Sequence, residues 1–270
     1  MQPRESLKEM LVVGRKGPGR YACALESFWG EPVLGDLLAR LVLAAATEGV
    51  TAPLRSLHAT FTSAALAGEP LEVRLERRDE AVSFDVAGAT SPCCSAIARY
   101  GAPANTLGYQ ATPAPGAPDP ERLPSTLDTA RTEGWPEQYA RGPFEFRRVG
   151  NRIGAAGGDA PHVTWMRTRV SLGAEPSWHT AAIAFVSLFY VHWAFEWRLG
   201  TGIDYGAVTP LDHALWLHGA PRFDDWLLVV AHSDRAAGGV ALAHRELYSR
   251  DGEHLATAVH SARVSMAPSA

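Results

Sequence analysis

A chain of 270 residues, 46% hydrophobic and 20% charged, carries enough apolar matter for one large core or two modest ones, and too much for intrinsic disorder. Its formal net charge of −4, with no clustered lysines or arginines, lacks the electrostatic footprint of a nucleic-acid binder. The three cysteines, Cys23 and the adjacent Cys93 and Cys94, make a poor disulfide set because bridging neighbours strains the backbone, so a reducing cytoplasmic setting is expected.

The charged opening residues 1–16 hold only the short apolar run Met10 to Val13, too short for the core of an export signal. An Ala/Leu-rich helix is predicted over Val33 to Glu48, followed by a strand over Pro53 to Phe61. Leu71, Val73 and Leu75 alternate with charged residues, and Val82, Phe84 and Val86 alternate with polar ones. Each run therefore predicts a strand with one buried face. From Gly101 to Pro143 the chain is rich in Pro, Ala and Gly, as in Thr112 to Pro118, which predicts a connector without regular structure. Shortening Thr112 to Pro118 is accordingly expected to change stability little.

Gly150 to Gly158 holds four glycines but lacks the strand-then-helix setting of a phosphate-binding loop, and reads as a hairpin loop or edge. A second helix is predicted over Trp178 to Leu199. Its segment Ala181 to Trp197 is apolar nearly all round, so other structure must cover it. Interrupted by Ser187, His192 and Glu196, that segment falls short of a membrane span. His192 and Glu196 share a helical face, but a metal needs at least one more ligand; no metal is expected there. Strands follow over Pro210 to His218, Trp226 to His232, Val240 to Tyr248 and His254 to Met266, the last two joined through Asp251-Gly252, a hairpin turn signal.

The order of one helix, a strand opened by Pro-Leu and a meander thus occurs twice, and self-similarity of this kind reveals architecture. The segment Pro53-Leu54-Arg55-Ser56-Leu57-His58-Ala59-Thr60-Phe61, with Val82-Ser83-Phe84 after it, resembles the acyl-CoA thioesterase II family. So does Leu211-Asp212-His213-Ala214-Leu215-Trp216-Leu217-His218, followed by Asp225-Trp226-Leu227-Leu228 and by the terminal hairpin around Arg250-Asp251-Gly252. The resemblance implies an α+β double hotdog: a first half over residues 1–100, the connector over 101–143 and a second half over 144–270, each sheet wrapping a long helix.

The implied activity is hydrolysis of an acyl-CoA thioester to free fatty acid and CoA by an activated water, with no cofactor. An acyl-carrier-protein thioester is the other candidate substrate, and the oligomeric state is left open, with a homo-oligomer among the options. On the family's pattern the helix Asp falls near Val186, with Ser187 beside it. Its Ser/Thr falls on Pro210, with Thr209 one step earlier, and its terminal Gln falls on His260. The resemblance thus nominates His260, Thr209 and Ser187 for catalysis, and Asp212 and His58 for substrate contact.

His260 shares the alternation face of Ala256, Ala258 and Ala262, and is open to two readings: a general base or thioester hydrogen-bond donor, or a core histidine satisfied by backbone. Asp212 and His213 are adjacent on a strand and point to opposite faces, so at most one enters a given pocket; a structural role also fits each. Asp36 is an acid in a first helical turn, where the helix dipole alone favours it. With the three family positions altered, two further functions stand beside hydrolysis: a non-hydrolytic acyl-thioester binder and a hotdog dehydratase-type biosynthetic enzyme.

Overall fold

The computed structural model describes residues 6–265 apart from 26, 29–30, 33, 64, 66, 103–107, 135–139, 141, 151–160, 190–193 and 196–207. In chain order the elements begin with a single helical turn α1 (Leu7–Met10), the hairpin β1 (Gly14–Gly17) and β2 (Arg20–Ala24), and the two-residue strands β3 (Ser27–Phe28) and β4 (Glu31–Pro32). Helix α2 (Leu34–Thr47) then leads into β5 (Leu54–Phe61), β6 (Pro70–Arg78), β7 (Ala81–Ala87) and β8 (Pro92–Tyr100). After a short 3₁₀ turn (Pro120–Arg122) come α3 (Thr126–Glu133), β9 (Phe144–Val149), β10 (His162–Thr168) and α4 (Pro176–Ser187). The chain closes with β11 (Thr209–Leu217), β12 (Leu227–Ala237), β13 (Val240–Ser249) and β14 (His254–Arg263).

Twelve strands form one sheet in the order β1-β2-β6-β7-β8-β5-β11-β14-β13-β12-β10-β9. The order is symmetric about its centre. The two strands opened by Pro-Leu, β5 and β11, pair antiparallel there, with Leu57 opposite Leu215 and Ala59 opposite His213. This is the double hotdog that the resemblance implies. Each half buries its helix against the same sheet face, and α2 lies on α4. At their crossing Gly35 approaches so closely that an added Cβ would stand 2.2 Å from the Phe185 carbonyl oxygen, a distance only glycine tolerates. The core is built from Leu37, Leu38 and Leu41 of α2, Ile183 and Phe185 of α4, and inward strand residues such as Leu57, Val73 and Leu215. Cys23, Cys93 and Cys94 are buried free thiols.

The structure corrects two expectations. Helix α4 starts at Pro176, where proline's fixed φ suits the first helical position, and its continuous run ends at Ser187, although Ala194 and Phe195 within the expected span are again helical. Ser187 donates its hydroxyl to the Ala184 carbonyl. The Leu188 N–H bonds back to Phe185 and Val186, so the last turn tightens and the chain leaves the helix. As expected from its composition, the helix is buried throughout Ala181 to Ser187. Of the remainder of the expected helix, residues 190–193 and 196–199, including His192 and Glu196, lie outside the described residues, as do positions 151–158 of the glycine-rich stretch.

The connector is the second correction. It is not structureless: Ser125 and Asp128 form a capping box that starts α3, and Gly134 closes that helix with φ of 74°. Nor is it detached. Ala114, Ala117 and Leu123 pack on the outer sheet face against Trp165, Trp226, Leu228, Val230 and Tyr248. Trp165 Nε1 donates to the Pro118 carbonyl at 2.9 Å and Trp226 Nε1 to Glu121 at 2.8 Å. Apolar residues buried on both faces of β12 require a cover on each, and on the outer face the connector supplies part of it through Ala114, Ala117 and Leu123.

Candidate active site

On the helix side of the second half, four polar side chains from four elements are almost entirely shielded from solvent: Ser187 (α4), His213 (β11), Arg245 (β13) and His260 (β14), each at most 2% exposed. Strand alternation places the last three on one face. His213 and His260 are direct cross-strand partners, with ring centroids 6.0 Å apart. Arg245 pairs with Ala258 and His260 with Ala243, so the guanidinium and the imidazole come from diagonally adjacent positions on neighbouring strands. The guanidinium is tied down at the end of α4, where its Nη1 donates to the Val186 carbonyl at 2.7 Å. A cation there complements the negative end of the helix dipole.

Hydrogen bonding fixes the state of His213. The hydroxyl proton of Ser187 is committed to Ala184, so the 2.9 Å contact to His213 Nε2 has the imidazole donating and the hydroxyl oxygen accepting. The lone pair then resides on Nδ1, which has no hydrogen-bond partner among the described residues. Burial, then the charge of Arg245, then His58 push the His213 pKa down to about 3. The ring is neutral at neutral pH and can accept a proton only weakly. Burial also lowers Arg245 to about 9, which leaves it a cation at neutral pH. The cluster therefore offers a fixed positive charge, a neutral ring of defined tautomer, a second imidazole and a held hydroxyl, a set able to position a water and to stabilise a developing oxyanion.

The nominated residues divide between the two sheet faces. His260 and Ser187 belong to the buried cluster. Asp212 and His58 stand on the opposite, outer face. Asp212 accepts from the Ser261 hydroxyl at 2.6 Å and from its N–H at 3.2 Å, while His58 lies edge-on to Trp216 with centroids 5.2 Å apart. Both edge a shallow depression lined also by Thr60, Ser83, Asp85 and Ser95. Thr209 is exposed at the start of β11 opposite Arg263, and the structure does not bring it to His260. A bulge between Pro210 and Asp212 sets this: Pro210 opposes the buried Ala262, so its neighbour Thr209 turns outward. Asp36 is buried and paired with Arg40 inside α2 at 2.5 Å, so it is more than a dipole acid.

Arg245 is the member that reading the sequence missed. Its signal was present, because Ala241, Ala243, Arg245 and Leu247 share one strand phase, and a charge in a buried phase is uncommon unless it is held by partners.

Residues 114–264 match the family model of the acyl-CoA thioesterase C-terminal domain, more than half of the chain. The chain belongs to the acyl-CoA thioesterase family. The family match begins within the connector, in keeping with the packing of that segment on the second half. Among relatives of this family member, acyl-coenzyme A thioesterase 8 of Rattus norvegicus is 28% identical over 286 residues, spanning 92% of this chain and 82% of the relative. The fold is shared with solved structures. Acyl-CoA thioesterase II TesB2 from Mycobacterium marinum superposes with a TM-score of 0.74 at 23% identity, covering 97% of this chain and 99% of the other. A hot dog fold protein from Alicyclobacillus acidocaldarius superposes with a TM-score of 0.77 at 18% identity, covering 97% and 98%. No helix among the described residues is long and apolar enough to cross a membrane.

Proposed function

We propose that this acyl-CoA thioesterase family member hydrolyses an acyl-CoA thioester to free fatty acid and CoA, with the chemistry centred on His260. The observation that carries this reading is the meeting of Ser187, His213, Arg245 and His260 in an otherwise apolar core at the end of α4, in a chain whose second half matches the family model. Water attacks the thioester carbonyl, His260 takes the water's proton, and the Arg245 charge stabilises the oxyanion. Collapse of the tetrahedral intermediate expels the CoA thiolate, which is then protonated. His213, held neutral and anchored on Ser187, orients the site rather than exchanging protons. Because all four side chains are buried, the thioester reaches them only when the surrounding residues part, a motion of the kind that gates many enzymes.

Binding without hydrolysis is the second reading. It is favoured by the outward position of Thr209 and by the apolar Val186 where the resemblance expects the helix Asp, which leave the cluster without that threonine hydroxyl and without a carboxylate. Thiol release measured on acyl-CoAs of short, medium and long chain, and on an acyl-carrier-protein thioester, decides between them when paired with binding of a non-hydrolysable CoA thioether. Hydrolysis predicts thiol release with at least one CoA ester that falls in His260→Ala. Thioether binding with no release from any ester assigns the protein to the binders.

A further inference from the structure

On the outer face of the second half, across the sheet from the buried cluster, His232 of β12 and His244 of β13 are direct cross-strand partners. Their rings lie parallel, with centroids 5.0 Å apart and 9° between planes. Asp234 follows two residues after His232, within an irregularity of the β12–β13 pairing between His232 and Arg235. Its carboxylate stands 3.4 Å from His244 Nε2 and 3.8 Å from His232 Nε2. Both distances exceed a good hydrogen bond, for which about 2.7–3.2 Å is usual, yet one ligand atom from each of the three residues falls within 4.8 Å of the others. Metal–nitrogen bonds of about 2.0–2.1 Å in a tetrahedron separate neighbouring ligand atoms by about 3.3 Å, so small side-chain rotations bring the three atoms onto one ion.

We propose that His232, Asp234 and His244 form a binding site for a divalent transition-metal ion, Zn²⁺ in the first instance. Two imidazoles and one carboxylate are the donors that borderline ions take, whereas Ca²⁺ and Mg²⁺ demand oxygen. Three protein ligands leave the fourth position to water. The backbone that presents them is fixed: Ser233, between two of the ligands, turns to the other face and donates to the Leu242 carbonyl at 2.6 Å. Among the described residues β10 pairs with β12 as far as Ala231, so the ion would clip the β12–β13 hairpin just beyond that pairing. Nothing in the spacing of His232, Asp234 and His244 along the chain signals a metal motif; the site exists only through strand pairing.

The test is calorimetric titration of the chelator-treated full chain with Zn²⁺ alone. The expected result is one equivalent bound with a micromolar Kd, weakened at least tenfold in His232→Ala and in His244→Ala, several-fold in Asp234→Asn, and unchanged in His254→Ala. At a hundredfold excess over Kd the unfolding midpoint should rise by about 5 °C, and the rise should vanish in the two histidine variants. Should either variant fail to fold, protection of His232 and His244 from diethylpyrocarbonate by Zn²⁺ in the parent protein, mapped by mass spectrometry, provides the readout. A Kd weaker than about 1 mM, affinity retained in both histidine variants, or absence of protection at both rings overturns the assignment.

Discussion

The two halves place buried polar groups beneath one shared sheet, and they do so in opposite ways. In the first half Asp36 and Arg40 are one helical turn apart on α2 and pair at 2.5 Å. Arg40 also donates to the Val12 carbonyl and, at 2.7 Å, to that of Met10. Charge is neutralised locally and the remaining donors tie the N-terminal turn to the helix, a structural clip. In the second half one cluster of buried polar groups draws on four separate elements, and one of its atoms, His213 Nδ1, is left with a lone pair that no described residue satisfies. Cores ordinarily satisfy such atoms, and an exception calls for an explanation. The same architecture thus carries an ion pair within one helix on one side and a polar cluster gathered from four elements on the other. That difference supports the proposed placement of the site in the second half.

The contrast can be broken most forcefully in α2. Arg40→Met leaves Asp36 buried without its partner and should cost about 3–5 kcal/mol of stability, whereas Asp36→Leu combined with Arg40→Met should recover most of the loss. Denaturant unfolding of the three proteins checks this. A double variant as unstable as the single one would show that Arg40's bonds to Val12 and Met10, rather than the charge pair, dominate.

In the second half the corresponding change should strike turnover. His260→Ala is expected to lower thiol release by about a hundredfold or more, equivalent to at least about 2.7 kcal/mol in the barrier, with far-ultraviolet dichroism unchanged. Equal rates in parent and variant would move the chemistry away from the cluster.

The joint between the halves should respond less. Gly35→Ala drives a Cβ towards the Phe185 carbonyl and should destabilise by about 1–3 kcal/mol through overpacking of α2 against α4. Removing residues 112–118 should cost a similar amount by uncovering Trp165 and Trp226, and unfolding midpoints of both variants test whether helix crossing and connector are comparable.

The gentlest probe is pH. Folding holds His213 near pKa 3, below about 6.5 for a solvated histidine, so the unfolded chain binds the extra proton. Stability should therefore fall as pH drops from about 6.5 towards 3, by up to about 1.4 kcal/mol per pH unit from this group. His213→Gln should flatten the slope by that amount in urea titrations, while Asp36→Leu combined with Arg40→Met should leave this contribution in place.

Local periodicity and turn chemistry were legible without the tertiary structure. The alternation in β6, β7, β13 and β14, the Ala/Leu run of α2 and the Asp251-Gly252 turn each obey rules that act within a few residues, and their repetition announced two halves. The inward phase of His260 was equally readable, since period two along β14 sets it beside Ala256, Ala258 and Ala262. What the sequence could not decide depends on contacts between distant segments. The end of α4 at Ser187 rests on a hydroxyl committed to the helix and to His213. The outward turn of Thr209 rests on a bulge against β14. The folding of the breaker-rich connector rests on two tryptophans that it must cover, and a composition rule weighs only the chain's own backbone preferences. Arg245 and His213 likewise acquire their meaning from strand order, which brings β11, β14 and β13 side by side over the end of α4. Registers and crossings of this kind are settled by burial and pairing summed over the whole sheet, and no window along the chain contains that sum.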